Sequence, residues 1–199
     1  MQQSRAQVKG VRFSSPAMNR RVFSPHLTGN SVKTPWGEDM QRRTGFFSLA
    51  FEDSIFIDAP PERGFAFFEA MDENYLRWHP DHLGFEWREG CGIRPGAVMW
   101  FSERIGGKLL EKEVRITEVT PGRFYAFAPT GRLMRAFLPR MSFAFRPEAG
   151  GFHFEAKVHL RGVGPLGQRL NRREFDAIER HMAEEGRNLK AILEAGAAV

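Results

Sequence analysis

An α+β fold, with a curved antiparallel sheet packed on a long C-terminal helix, is what the 199 residues predict from three features. One amphipathic run closes the chain. A series of β-rich runs precedes it, and Gly and Pro punctuate those runs at hairpin spacing. Helices gathered at the ends of consecutive strands, rather than alternating with them, favour antiparallel pairing. A sheet that wraps a helix leaves a cavity between them, suited to a small apolar or aromatic ligand.

Residues 1–45 are rich in Ser, Pro, Arg and Asn and show no sustained apolar period, so they read as a basic, disordered N-terminal extension. Being Arg-rich and acid-poor, this segment also resembles an organelle transit sequence. Residues 46–199 read as one domain. "FFSLAFEDSIFID" has strand character, and "APPERGFAFFEAM" opens a helix with Pro at its start. After "NYLRWHPDHLGFEW" come "GAVMWFSERI", "KLLEKEVRITEV", "GRFYAFAP", "RAFLPRMSFAFRP" and "GFHFEAKVHLRGV", broken at "GG", "TPG" and "EAGG", as in a meander. The stretch from about Pro165 to Ala195 reads as one helix.

Composition narrows the function classes. The net charge is +5, yet residues 1–45 carry eight basic and two acidic side chains, which leaves the rest of the chain at −1. Nucleic-acid affinity grows with the number of basic contacts, so a near-neutral body predicts no nucleic-acid partner. No run reaches the roughly 18–20 apolar residues that cross a bilayer, and the N-terminus lacks a secretory apolar core. The expectation is a cytoplasmic protein without a membrane partner. Cys91 has no second cysteine to pair with, so any metal must use His and carboxylates.

Three segments carry candidate chemistry. In "HMAEEGRNLK", His181 and Glu185 lie four residues apart on a helix whose stripe is Ile178, Met182, Leu189 and Ile192. Helical neighbours at that spacing can reach one ion, although a surface hydrogen-bonded pair would show the same pattern. An inward carboxylate needs a partner or a cation to offset lost hydration. In "YLRWHPDH", Pro80 holds the backbone out of helix, so His79 and His82 read as loop residues beside Tyr75, Trp78 and Asp81. Either could be a ligand, or the loop could be merely polar. In "GAVMWFSERI", Met99, Phe101, Glu103 and Ile105 share one face, which puts Glu103 inside if that face is inner. Glu111 and Glu113 oppose Leu110, Val114 and Ile116 and read as solvated, with Glu111 the reserve for Glu103. His153 and His159 read as structural, and His26 belongs to the extension.

The segments "YLRWHPDH", "SERIGGKLLEKEVRITEV" and "HMAEEGRNLKAIL" together resemble the 2,4-diacetylphloroglucinol hydrolase family, over roughly residues 50–195. That resemblance implies the helix-grip fold of the START and birch-allergen-like superfamily. It implies a zinc-dependent hydrolase that cleaves the carbon–carbon bond between an acyl group and a phenolic or polyketide-like ring. Carried over by residue, it makes His82, Glu103, His181 and Glu185 the metal ligands and Tyr75 a substrate contact. Tyr75, His79 and Glu103 then stand as catalytic candidates. Two departures matter. The spacing from the WHP motif to His82 is one residue short, which keeps His79 in play as the ligand, and Phe85 stands where a polar substrate contact is expected. Iron or manganese would suit the same ligand set. Trp78, Trp100, Phe101, Phe127 and Phe143 are candidates for an aromatic pocket. The expected partner is a small aromatic or polyketide-like substrate. Two rival readings use the same cavity: a noncatalytic carrier of lipid or polyketide, and a metal-free polyketide cyclase or dehydratase.

Overall fold

The computed structural model describes residues 28–33 and 39–196. In chain order the elements are β1 Thr28–Lys33, β2 Asp39–Thr44, β3 Ser48–Ile57, α1 Pro61–Glu69, α2 Met71–Trp78, β4 His82–Glu89, β5 Val98–Ile105 and β6 Lys108–Thr120. They continue with β7 Phe124–Pro129, α3 Arg132–Phe137, β8 Arg140–Glu148, β9 Gly151–Arg161, α4 Pro165–Leu170 and α5 Arg172–Ala195. Among the described residues the strands form one antiparallel sheet of nine, in the order β1-β2-β3-β9-β8-β7-β6-β5-β4. After β3 the chain crosses through α1 and α2 to the far edge, then returns as a meander from β4 to β9. The curved sheet and its long C-terminal helix make the helix-grip fold expected above.

Local chemistry accounts for the elements. Pro60 takes an extended conformation ahead of α1, and Pro61 opens the helix where no intrahelical N–H bond is lost. The hairpin between β5 and β6 turns through Gly106 and Gly107 at φ 57° and 79°, a left-handed pair that a two-residue turn requires. Period-two alternation on β3 buries Leu49, Phe51, Ile55 and Ile57. Phe68 is fully buried, with its ring centroid 5.1 Å from those of Trp78 and Phe143 and 5.5 Å from that of Phe154. Helix α5 lays Phe175, Ala177, Met182, Leu189 and Leu193 into this core.

Three sequence expectations change, the first being the β-rich run "RAFLPRMSFAFRP", whose opening residues Arg135, Ala136 and Phe137 end helix α3 before β8 starts at Arg140. The strands β1 and β2 fall inside the segment 1–45 that reads as unfolded, whereas residues 1–27 and 34–38, with His26, lie outside the described residues. Strand β2 pairs with β3, and Arg42 bonds Glu179 at 2.6 and 2.7 Å and Asp176 at 2.8 Å on α5. An edge strand and a pair of helix carboxylates thus supply partners that local composition does not reveal. The closing run is also two helices. Asn171 breaks it, its side-chain amide donating to the Gly167 carbonyl at 2.8 Å.

Candidate functional site

Three elements meet under α5. Ahead of Pro80, His79 is extended, at φ −146° and ψ 140°, which ends α2 and swings the chain into β4 at His82. On β5, Glu103 points inward from opposite Leu110, and its register partner on β4 is His82. Helix α5 presents His181 and Glu185 one turn apart. Its seat is fixed by Trp78, whose indole N–H donates to the Glu185 carbonyl at 2.9 Å. Gly186 sets how closely α5 sits on β3, because a Cβ there would lie 2.8 Å from Asp53 Oδ2.

His82, Glu103, His181 and Glu185 bring one ligand atom each to within 4.8 Å of all the others. His82, Glu103 and His181 are buried. The hydrogen bonds bear on whether a cation fits. His82 Nδ1 lies 2.9 Å from the Tyr75 carbonyl, an acceptor only, so this nitrogen carries the proton. Its Nε2 then faces Glu185 Oε1 at 3.0 Å. A neutral imidazole lone pair and a carboxylate oxygen repel at that distance unless a proton or a metal ion lies between them. His181 Nε2 is buried without a hydrogen-bond partner; at 3.7 Å from Glu103 Oε2 and 3.8 Å from Glu185 Oε1 it meets them only by charge. An orphaned ring nitrogen, a tautomer fixed by a backbone carbonyl and two carboxylates make a donor set that fits a divalent ion such as zinc.

His79 is committed elsewhere. Its Nδ1 accepts the Asp81 N–H at 3.1 Å, which leaves Nε2 to donate to Glu184 at 3.2 Å. It belongs to a second, all-histidine grouping with His82 and His181, and its ring centroid is 4.3 Å from that of His181. Burial, then the neighbouring His181, push its pKa down. With both nitrogens engaged, His79 orients the loop, and His82 is the imidazole of the four-donor cluster. Glu111 is exposed on the opposite face of β6 and does not take the place of Glu103.

The electrostatics follow from burial and neighbours. Burial alone would raise the pKa of Glu103, but the Lys112 ammonium and His181 hold it down at about 2. Burial works to lower the pKa of His181, and the Glu103 and Glu185 carboxylates outweigh it, for a net rise. Burial together with Glu103 and Glu185 drives the Tyr75 phenol far above its ordinary range. Tyr75 therefore stays a neutral donor, its hydroxyl 3.5 Å from Glu103 Oε2 and its ring stacked on His82 at 4.0 Å.

Three of the four donors, Glu103, His181 and Glu185, line the polar part of a cavity of about 340 Å³ between sheet and helix. Phe85, Phe101, Phe127 and Phe143 are among its apolar walls. Trp78 and Tyr75 also line it. Trp100 does not, because it sits on the other face of β5, where the Arg88 guanidinium lies 5.5 Å from its ring.

A profile described as "Polyketide cyclase / dehydrase and lipid transport" matches residues 48–194. The chain belongs to this polyketide cyclase/dehydrase and lipid transport family. A search of curated proteins found no match. Among solved structures, the chain is similar to the di-domain ARO/CYC BexL from the BE-7585A biosynthetic pathway. There the TM-score is 0.60 at 17% identity, over 76% of this chain and 52% of that one. It is similar to the di-domain ARO/CYC StfQ from the steffimycin pathway, with TM-score 0.60 and 16% identity over 77% and 53% of the two chains. The ginseng major latex-like protein 151 of Panax ginseng aligns with TM-score 0.61 and 11% identity, over 74% and 98%. The chain thus spans about half the length of the two di-domain proteins. At these identities the likeness is one of fold alone.

One member of the site escaped the sequence reading. Lys112 shares the inner face of β6 with Leu110, Val114 and Ile116, pairs with Glu103 and lines the cavity. The same alternation that turned Glu111 and Glu113 outward marks it as inward.

Proposed function

We propose that this family member is an enzyme acting on a small aromatic or polyketide-like molecule in the cavity, with a divalent cation, zinc in the first instance, held by His82, Glu103, His181 and Glu185. The reaction we infer is hydrolysis of the bond between an acyl carbon and a phenolic ring carbon. The observation that carries this reading is the convergence of four donor atoms, the unpartnered His181 Nε2 among them, beside an apolar cavity. When bound, the cation supplies polarisation of the acyl carbonyl and acidity to water. The chain's own residues do the rest. The apolar walls exclude bulk water and lay the ring against Phe101 and Phe143. Tyr75, kept neutral, donates its O–H to a substrate oxygen. In balance, the acyl carbon gains the water oxygen and leaves as a carboxylic acid, and the ring carbon gains a proton.

A second reading is a metal-free polyketide cyclase or dehydratase. The family description and the two ARO/CYC neighbours favour it over hydrolysis. So does the pairing of Glu103 with Lys112, which supplies a counter-charge without any metal. Here Tyr75 and His181 would be the acid–base pair. Metal analysis of the purified chain, followed by assay on acylphenols, separates the two. The expected result is one equivalent of zinc, lost in His181→Ala and Glu185→Ala, and acylphenol cleavage that stops on chelation and returns with zinc. Turnover that survives complete removal of metal overturns the cation reading in favour of the second. A metal-free protein that copurifies with ligand and turns nothing over makes the cavity a carrier's.

A further inference from the structure

Lys112 is a partly buried cation on the wall of an otherwise largely apolar cavity. Its neighbours on the inner face of β6 are Leu110 and Val114, and its ammonium lies 5.4 Å from the centroid of the Phe101 ring. Its side chain is 19% exposed, whereas two other cations of the same strand are more exposed: Lys108, at 66%, pairs with Glu174 at 3.0 Å and Arg115, at 42%, with Glu89 at 2.9 Å. Such a placement costs hydration that one ion pair only partly restores, and apolar side chains of similar volume generally stabilise a core at least as well. The ion pair with Glu103 offsets part of that cost and leaves the ammonium lining the cavity.

Glu103 divides the polar end into two positions. Its Oε1 faces Lys112, while Oε2 faces the Tyr75 hydroxyl at 3.5 Å and His181 Nε2 at 3.7 Å. A fixed positive charge and the donor cluster therefore stand on the two sides of one carboxylate. A flat ligand lying beside Glu103 with one oxygen at the cluster meets Lys112 with an oxygen a few bonds away. The two oxygens of an ortho-acylphenol or of a β-dicarbonyl enol have that relation. Lys112 carries only donors, so it selects an oxygen that can accept freely or bear negative charge.

We propose that Lys112 is a specificity-determining residue that holds the second oxygen of a 1,3-dioxygenated substrate, an ortho-acylphenol or a β-dicarbonyl enol, while the first oxygen sits at the His82, Glu103, His181 and Glu185 cluster. This rests on the reading of the cavity as a substrate site and extends it to a substrate class. It needs only the cluster and the ammonium, whether or not a metal occupies the former.

The test is a pair of probes, ortho-hydroxyacetophenone and its methyl ether, with binding measured calorimetrically on the full chain, both as loaded with zinc and after chelation. The ether keeps the ring and the acyl oxygen but covers the second oxygen. Wild-type protein should prefer the hydroxy compound by roughly tenfold or more, the scale of one charge-assisted hydrogen bond. Lys112→Met should erase that preference while leaving ether affinity and zinc content within about twofold, and Lys112→Arg should keep part of it. Equal binding of the two probes by wild type overturns the proposal without any variant having to fold. So does Lys112→Met weakening both probes alike, which marks a structural ion pair. Failure of the metal reading shows separately, as absence of zinc, and leaves the comparison of probes readable.

Discussion

Glu103 is a buried carboxylate, and its behaviour in acid follows from its neighbours. Burial acts to raise its pKa, yet Lys112 and His181 hold the folded-state value at about 2, against 4.5 for the free side chain. Because the folded value is the lower one, the unfolded chain binds the proton first. The stability that Glu103 contributes is then complete above pH of about 4.5 and is lost as pH falls towards 2. Acid unfolding of the metal-free protein should show this as a slope across that window, and Glu103→Gln should flatten it. An unchanged slope in the variant means that Lys112 and His181 do not act on Glu103 in solution.

Among the elements, α5 contributes most to the site, since it carries His181 and Glu185 and covers the sheet. Its approach is set at Gly186, where an added Cβ would stand 2.8 Å from Asp53 Oδ2 and 3.4 Å from Ile55 Cγ2. Gly186→Val should therefore push the helix off β3 and cost about 1–3 kcal/mol, the usual range for overpacking. The same displacement moves two of the four donors, so metal content should fall along with the unfolding midpoint in urea. A variant with wild-type stability would show that α5 can shift freely, and that the donor geometry is not fixed by packing. Strand β2 is tied to the same helix from the other side through Arg42 with Asp176 and Glu179, both partly exposed. That link is electrostatic and modest beside the steric one.

At the scale of the whole molecule, one aromatic network joins the helices to the sheet. Phe68 touches Trp78 and Phe67 on the helical side and Tyr125, Phe143, Phe145 and Phe154 on the strands. Phe68→Ala should cost about 3–5 kcal/mol, because the surroundings collapse only partly into the space left behind. Denaturant unfolding that moves its midpoint at constant slope is the measurement, and a loss below about 1 kcal/mol would mean that the network repacks. No helix of the described residues is long and apolar enough to cross a membrane. The fold was legible because these patterns are local. Strand parity put Met99, Phe101 and Glu103 on one shared face, and helical spacing put His181 with Met182 on the buried face of α5.

By itself the sequence determined the α+β class, the run of consecutive strands before a closing helical segment, and which residues of β5, β6 and α5 share a face, since alternation and helical repeat are set by backbone geometry within a few residues. Tertiary structure alone decided the rest: that β1 and β2 extend the sheet, that His82 rather than His79 joins Glu103, and that Lys112 stands against it. Those outcomes depend on side chains brought together across 103 residues of chain between His82 and Glu185 and 137 between Arg42 and Glu179. Burial then fixes which of their hydrogen bonds and charges must be satisfied, and no local pattern encodes that choice.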